Sequence, residues 1–206
     1  PALTLADRFG CRVTGITISD VGLSRARVAA RDRGLDDRVD FQWADAMANG
    51  QPDASYDRAW VMESSHLMDN KQALIGEVAR VLRPGGRVGL CDIIAHSPFG
   101  TGEIMKHGRD LLLLDRVFGR ARMETFVEYE RLAVDAGLHW HSAEDMTAAT
   151  LPTFAAWRAN ADTHRDAVVE LIGVDGLDEF VRASQVLADC WKSGKLGYGM
   201  IVATKP

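Results

Sequence analysis

The chain has 206 residues, 47% hydrophobic and 26% charged, which excludes wholesale disorder and lets one domain bury a core without disulfides or a structural metal. Its 24 Lys and Arg against 29 Asp and Glu give a formal net charge of -5 with no long run of one sign. That balance argues against nucleic acid or an anionic membrane as partner, because both demand a concentrated basic face.

No stretch approaches the roughly 20 apolar residues of a membrane span. No signal peptide is evident. Cys11, Cys91 and Cys190 are odd in number and widely spaced, so neither a disulfide framework nor a CxxC metal site is expected, and a reducing, cytoplasmic setting fits.

In chain order, residues 12–18 read as a buried strand dominated by β-branched side chains. Ser19 or Asp20 caps a helix through residue 33, which Gly34 ends. A second strand is expected over 39–43, a third over 56–62, and an amphipathic helix over 70–82. Arg83-Pro84-Gly85-Gly86 reads as a turn, since proline cannot continue the helix and paired glycines permit positive φ. The fourth strand is expected over 88–94. Short apolar strands alternating with helices of about a dozen residues predict an α/β protein with a parallel sheet built from right-handed βαβ crossovers.

The second half is more helical: 102–118, 124–136 and a long stretch over 152–193 interrupted near 173–176, with strands over 138–146 and 197–205. No internal repeat or low-complexity linker appears. We expect one domain over 1–206, with a core over 1–94, a helical cap over 95–135 and 147–195, and a closing strand.

Ligands of open α/β sheets bind outside the carboxyl ends of the strands. This singles out Thr17, Ile18 and Ser19 after the first strand, Asp45 and Ala46 after the second, Glu63, Ser64, Ser65 and His66 after the third, and Asp92 and His96 at the fourth. Asp45 can accept from an exocyclic amine beside apolar residues that sandwich a ring, or can cap its own turn. His66 can serve as a general base or as a capping histidine. Asp92 stands in an apolar run and needs a partner; it could orient His66 across neighbouring strand ends, or bond a loop. His139 and His141 share a strand face without an evident third ligand, so solvated side chains are the expectation there and no metal site is assigned. Phe154, Trp157, Trp191 and Met200 could line an apolar pocket, although such spacing also describes plain core.

Several of these segments occur together in one family. Val13-Thr14-Gly15-Ile16-Thr17-Ile18-Ser19, Ala44-Asp45-Ala46-Met47, Glu63-Ser64-Ser65-His66, Val81-Leu82-Arg83-Pro84-Gly85-Gly86 and Leu196-Gly197-Tyr198 resemble class I S-adenosylmethionine-dependent methyltransferases over essentially the whole chain. The helical insertion before the last strand looks like the small-molecule O-methyltransferases that tailor natural products, of the rebeccamycin and rifamycin type. The resemblance implies a Rossmann-like, doubly wound, mostly parallel sheet with a helical cap, and S-adenosyl-L-methionine as cofactor. It implies that Asp45 contacts the adenine amine, Ala46 packs on the ring, Thr17, Ile18 and Ser19 lie near the ribose, and Met62 and Glu63 belong to the cofactor site. His66 would be the base, with Asp92 beside it. Of the related Glu-Ser-Leu-His-His pattern the second histidine is Leu67 here, so a role shared by two histidines does not carry over.

The family's first strand and its glycine-rich DxGxGxG loop have no counterpart in the chain, which opens on Pro1. We therefore expect the natural protein to extend upstream by several tens of residues or so, including that central strand and an N-terminal helical lid. The expected reaction is in-line methyl transfer to a hydroxyl of a small, partly hydrophobic acceptor, a natural product or glycoside. Alternatives are N- or C-methylation of a small amine or lipid, a methyltransferase-like cyclase, and a non-catalytic binding module. Exposed cap helices could pair two copies as a homodimer.

Overall fold

The computed structural model describes residues 1–97, 100, 102 and 107–206. A helix that the sequence patterns left unassigned, α1 (Ala2–Phe9), closes on Gly10 in the left-handed conformation (φ 64°). It buries Ala6 with Leu35 and Val39, beside Val13 and Phe41. Next come β1 (Val13–Thr17), α2 (Asp20–Asp32) and β2 (Val39–Trp43). The Ser19 hydroxyl caps α2 by accepting from Gly22 N–H at 3.0 Å, satisfying a donor that the helix itself leaves orphaned.

β3 (Tyr56–Met62) leads through a short 3₁₀ turn, Ser65–Leu67, into α3 (Lys71–Val81), capped by Asn70. β4 (Leu82–Ala95) follows without the break expected at residues 83–86. The chain does turn there: Gly85 has φ 76°, and the pairing with β3 jumps from Tyr56–Leu82 to Arg58–Arg87, so residues 83–86 bulge out of that ladder, while Gly85 N–H donates to Lys205 and Gly86 accepts from it. Of the helix expected over 102–118, residues 103–106 lie outside the described residues, and α4 is Gly108–Phe118. α5 (Phe126–Asp135) and β5 (His139–Asp145) match the expected helix and strand within two residues. The long helical stretch is a short α6 (Thr147–Thr150), then α7 (Pro152–Thr163) and α8 (Arg165–Lys192). α8 contains the anticipated break, at Gly173 (φ 75°, ψ 171°). β6 (Leu196–Thr204) ends the fold.

The strands hydrogen-bond as two sheets, β1-β2 and β3-β4-β6-β5. β1 and β2 are parallel, as are β3 and β4, while β6 runs antiparallel to both of its neighbours. Among the described residues β1 pairs only with β2 and β3 only with β4. The main core lies between β3, β4, β6 and the helices α3 and α5, with Leu74, Leu82, Leu90, Ile94, Tyr129 and Ile201 among its most buried members. A second cluster joins Ala95 and Leu196 to Phe154, Leu187 and Trp191 of α7 and α8.

Two glycines of β6 are set by close approach. A Cβ on Gly199 would lie 2.5 Å from the Phe126 ring, and one on Gly197 would overlap Thr147 and His96. Both contacts bring helical residues onto the strand beside Asp92, which pairs with Gly199.

Candidate active site

The residues proposed from sequence fall into two groups. The first gathers at the carboxyl ends of β1 and β2. Thr17 accepts from Ala44 N–H through its carbonyl (3.1 Å) and from Ser19 N–H through its hydroxyl (3.1 Å). The Trp43 indole donates to the Ile18 carbonyl at 3.1 Å, fastening the two strand ends together. Asp45 and Ala46 are half-buried next to them. One Asp45 oxygen accepts from Met47 N–H at 2.9 Å, capping the 3₁₀ turn Ala46–Ala48; its other oxygen has no partner among the described residues. Both sequence-level readings of Asp45 are therefore compatible in one side chain. A free carboxylate oxygen able to accept from an amine, beside Ala46 and the exposed side chains of Ile18 and Trp43, suits an aminated aromatic ring, so these residues fit the adenosyl part of the cofactor.

The second group forms at the ends of β3 and β4. Met62 pairs with Cys91, which places the turn after β3 against Asp92. Asp92 is fully buried and accepts at both oxygens. Oδ1 takes the His66 Nδ1 proton at 2.5 Å and the Ile93 N–H at 2.7 Å. Oδ2 takes the His66 N–H at 3.1 Å and the Ser65 hydroxyl. Burial by itself would push this carboxyl up. The hydrogen bond and charge of His66, then Ser65 and the Ile93 amide, outweigh it and hold Asp92 below the ordinary carboxylate range. With Asp92 ionised, Nδ1 of His66 must be the donor, so the lone pair of the neutral imidazole is on Nε2. The His66 side chain is 13% exposed, reachable by a substrate yet mostly shielded from water. Arg122 N–H donates to the His66 carbonyl at 2.7 Å, pinning the turn from the segment before α5.

Two further groups join this site. Tyr129 of α5 places its hydroxyl 2.8 Å from Ser65 Oγ, and burial pushes its phenol well up. Nothing local in the sequence separates Tyr129 from an ordinary core aromatic; only the fold brings it beside a residue 64 positions away. Glu63 has a positive φ of 47°, rare for a residue with a side chain, and accepts from the Tyr198 hydroxyl at 2.9 Å. No hydrogen bond or ion pair among the described residues joins the first group to the second.

The other candidates sit elsewhere. His96 lines a separate cleft of about 630 Å³ with Asp145, Thr147, Leu151 and Trp191. His139 and His141 have ring centroids 4.9 Å apart, and His141 pairs with Thr204 at 2.7 Å. Among the described residues no three His, Cys, Asp or Glu side chains form a metal-binding group. Phe154, Trp157 and Trp191 stack edge-on in the cap cluster, with centroids 4.9 and 5.5 Å apart, whereas Met200 lies on β6 opposite Cys91.

Comparison with known proteins identifies the family. A family described as a methyltransferase domain matches residues 1–86. The 27-O-demethylrifamycin SV methyltransferase of Amycolatopsis mediterranei is 32% identical over 207 positions, spanning 100% of this chain and 73% of that protein. A solved structure of the [4+2]-cyclase SpnF superposes with a TM-score of 0.79 at 28% identity, covering 100% of this chain and 71% of that one. A geranyl diphosphate methyltransferase in complex with S-adenosylmethionine gives 0.74 at 21% identity, covering 99% and 73%, a likeness of fold alone. The chain belongs to the class I S-adenosylmethionine-dependent methyltransferases. It is a small-molecule methyltransferase with a Rossmann-like α/β fold, and S-adenosylmethionine is its cofactor.

Proposed function

We propose that this enzyme methylates a hydroxyl oxygen of a small, partly hydrophobic acceptor, a natural product or glycoside, with His66 as general base. The observation that carries this reading is the imidazole at the strand ends with its Nδ1 proton engaged by a buried carboxylate, leaving Nε2 free to accept a proton. The name of the Amycolatopsis relative, a 27-O-demethylrifamycin SV methyltransferase, supports the acceptor class.

Asp45 would hold the adenine amine through its free oxygen, Ala46 and Ile18 would flank the ring, and Thr17 and Ser19 would lie at the ribose. Met62 and Glu63 would complete the cofactor site. When bound, S-adenosylmethionine supplies a methyl group on a sulfonium, whose positive charge is discharged as the new bond to oxygen forms and the bond to sulfur breaks. The protein's contribution is to hold the acceptor oxygen in line and to take its proton on His66 Nε2. Asp92 keeps the ring in the competent tautomer and compensates the imidazolium that forms. The division into a core over 1–94, a cap over 95–135 and 147–195 and a closing strand belongs to the same proposal. The aromatic cluster of Phe154, Trp157 and Trp191 would then back the acceptor pocket. Pairing of two copies through cap helices draws support from exposed Leu112 and Leu171. Cytoplasmic placement is supported by three free cysteines; no described helix is long and apolar enough to cross a membrane.

Replacing His66 by Asn should lower turnover by about 100-fold or more while leaving S-adenosylhomocysteine affinity near wild type. Loss of both together would show that His66 is structural. The SpnF likeness favours one second reading, a ring-forming enzyme on the same fold. Product formation without release of S-adenosylhomocysteine would decide for it, and product mass and methyl position would separate O- from N- or C-methylation.

A further inference from the structure

Orienting one imidazole requires one carboxylate oxygen, yet the second oxygen of Asp92 is also engaged by a buried side chain. We propose that Ser65 and Tyr129 are positioning residues for the reaction, forming a one-way hydrogen-bond chain from Tyr129 through Ser65 to Asp92 that tempers the hold of Asp92 on the His66 proton. The proposal rests on the reading of His66 as the base.

The direction of the chain follows from counting protons. Ionised Asp92 can only accept, so the single Ser65 hydroxyl proton points to Oδ2. Ser65 Oγ then has only lone pairs for its second partner, so the Tyr129 hydroxyl, 2.8 Å away, must donate. Ser65 and Asp92 are fully buried and Tyr129 is 1% exposed, so solvent does not compete for these bonds. Packing alone calls for no hydroxyl at either place. Phenylalanine would fill the Tyr129 volume among Leu132, Ala133 and Leu138. Burying two hydroxyls is unfavourable unless they bond, and here they bond only into the Asp92 system.

The electrostatic consequence has a definite sign. Each donor to Asp92 spreads its negative charge and weakens its attraction for imidazolium. Removing a donor concentrates that charge, so the pair holds its extra proton more tightly and the base is neutral over a narrower pH range. The other ionisable groups around the pair are Lys71 of α3 and Asp69 before it, Arg122 and Glu124 before α5, Glu63 after β3, Cys91 of β4 and Tyr198 of β6. All stay in place when Ser65 or Tyr129 loses its hydroxyl.

The test uses Ser65→Ala and Tyr129→Phe, with two readouts: the His66 ring titration followed by NMR, and the acid limb of the pH profile of kcat/KM. In Ser65→Ala both should move to higher pH by about half a unit or more, and in Tyr129→Phe in the same direction by less. If the variants fold and the ring titration stays where the wild type has it, or moves down, the proposal is overturned. Should Ser65→Ala fail to fold, Tyr129→Phe decides on the same readouts, because it removes one oxygen without changing shape. A moved ring titration together with a fully active His66→Asn would overturn His66 as base while leaving the hydrogen-bond chain standing. An unmoved titration with an inactive His66→Asn would do the reverse.

Discussion

Asp92→Asn tests the site most severely, because it keeps the volume and removes only the charge and one acceptor. Asp92 accepts two hydrogen bonds at each oxygen, and each oxygen faces one backbone N–H, from Ile93 at Oδ1 and from His66 at Oδ2. An amide has one acceptor and one donor end. Whichever way it is flipped, its NH₂ faces a main-chain donor that cannot turn away. One buried N–H is left unpaired at a cost of about 1–3 kcal/mol, and loss of charge assistance on the remaining bonds brings the total to about 2–4 kcal/mol. At roughly 2–4 °C per kcal/mol for a chain of this size, the melting temperature should fall by about 10 °C.

The orientation that puts NH₂ toward His66 also forces the imidazole proton onto Nε2, where a base needs a lone pair. Turnover should therefore fall by about 100- to 10,000-fold, more than stability loss explains at temperatures where the variant is folded. The stability difference carries a pH signature too. Asp92 is held below its ordinary value of 3.8, so its ionised form stabilises the fold fully above that pH, and the contribution is lost as pH falls toward the folded value. The gap between wild type and Asp92→Asn should be wide at neutral pH and narrow below about 4. Chemical denaturation across pH, with single-turnover kinetics at neutral pH, measures both. A variant with wild-type turnover and stability would refute the assignment of Asp92 as the charged partner of His66.

Two other substitutions probe the remaining groups. Asp45→Asn can keep the cap on Met47 N–H while presenting NH₂ at the free oxygen position, so S-adenosylhomocysteine affinity should drop about tenfold by calorimetry with little change in melting temperature. A matched loss of stability would mean the side chain serves only its turn. Gly199→Ala places a methyl 2.5 Å from the Phe126 ring and should cost about 1–3 kcal/mol in denaturant titration; a neutral result would show that α5 is not held against β6 by this contact.

How much of this was legible in the chain depends on the distance over which each feature is decided. The second and third strands and the cap of α2, for which Ser19 was one of two candidates, follow from a few adjacent residues, and the structure places them there. The turn expected at 83–86 is present as a bulge against β3, but it does not begin a strand, because Lys205, about 120 positions on, bonds Gly85 and Gly86, and no local pattern can report that. α1 went unassigned although Ala2, Leu3 and Ala6 recur at helical spacing before Gly10 and pack together against Leu35 and Val39, a local pattern that was readable. The proximity of His66 and Asp92 was readable because parallel neighbouring strands bring their ends together, and the pairing of Met62 with Cys91 accomplishes this. Tyr129 was not readable, since a tyrosine on the inner face of an amphipathic helix looks like any core aromatic until its hydroxyl has an address. A sequence can show that a buried carboxylate needs partners; which hydroxyls meet that need is decided by packing between distant elements. The features that tune a base are therefore harder to read than the base itself, because tuning depends on groups whose own sequence context asks only for bulk.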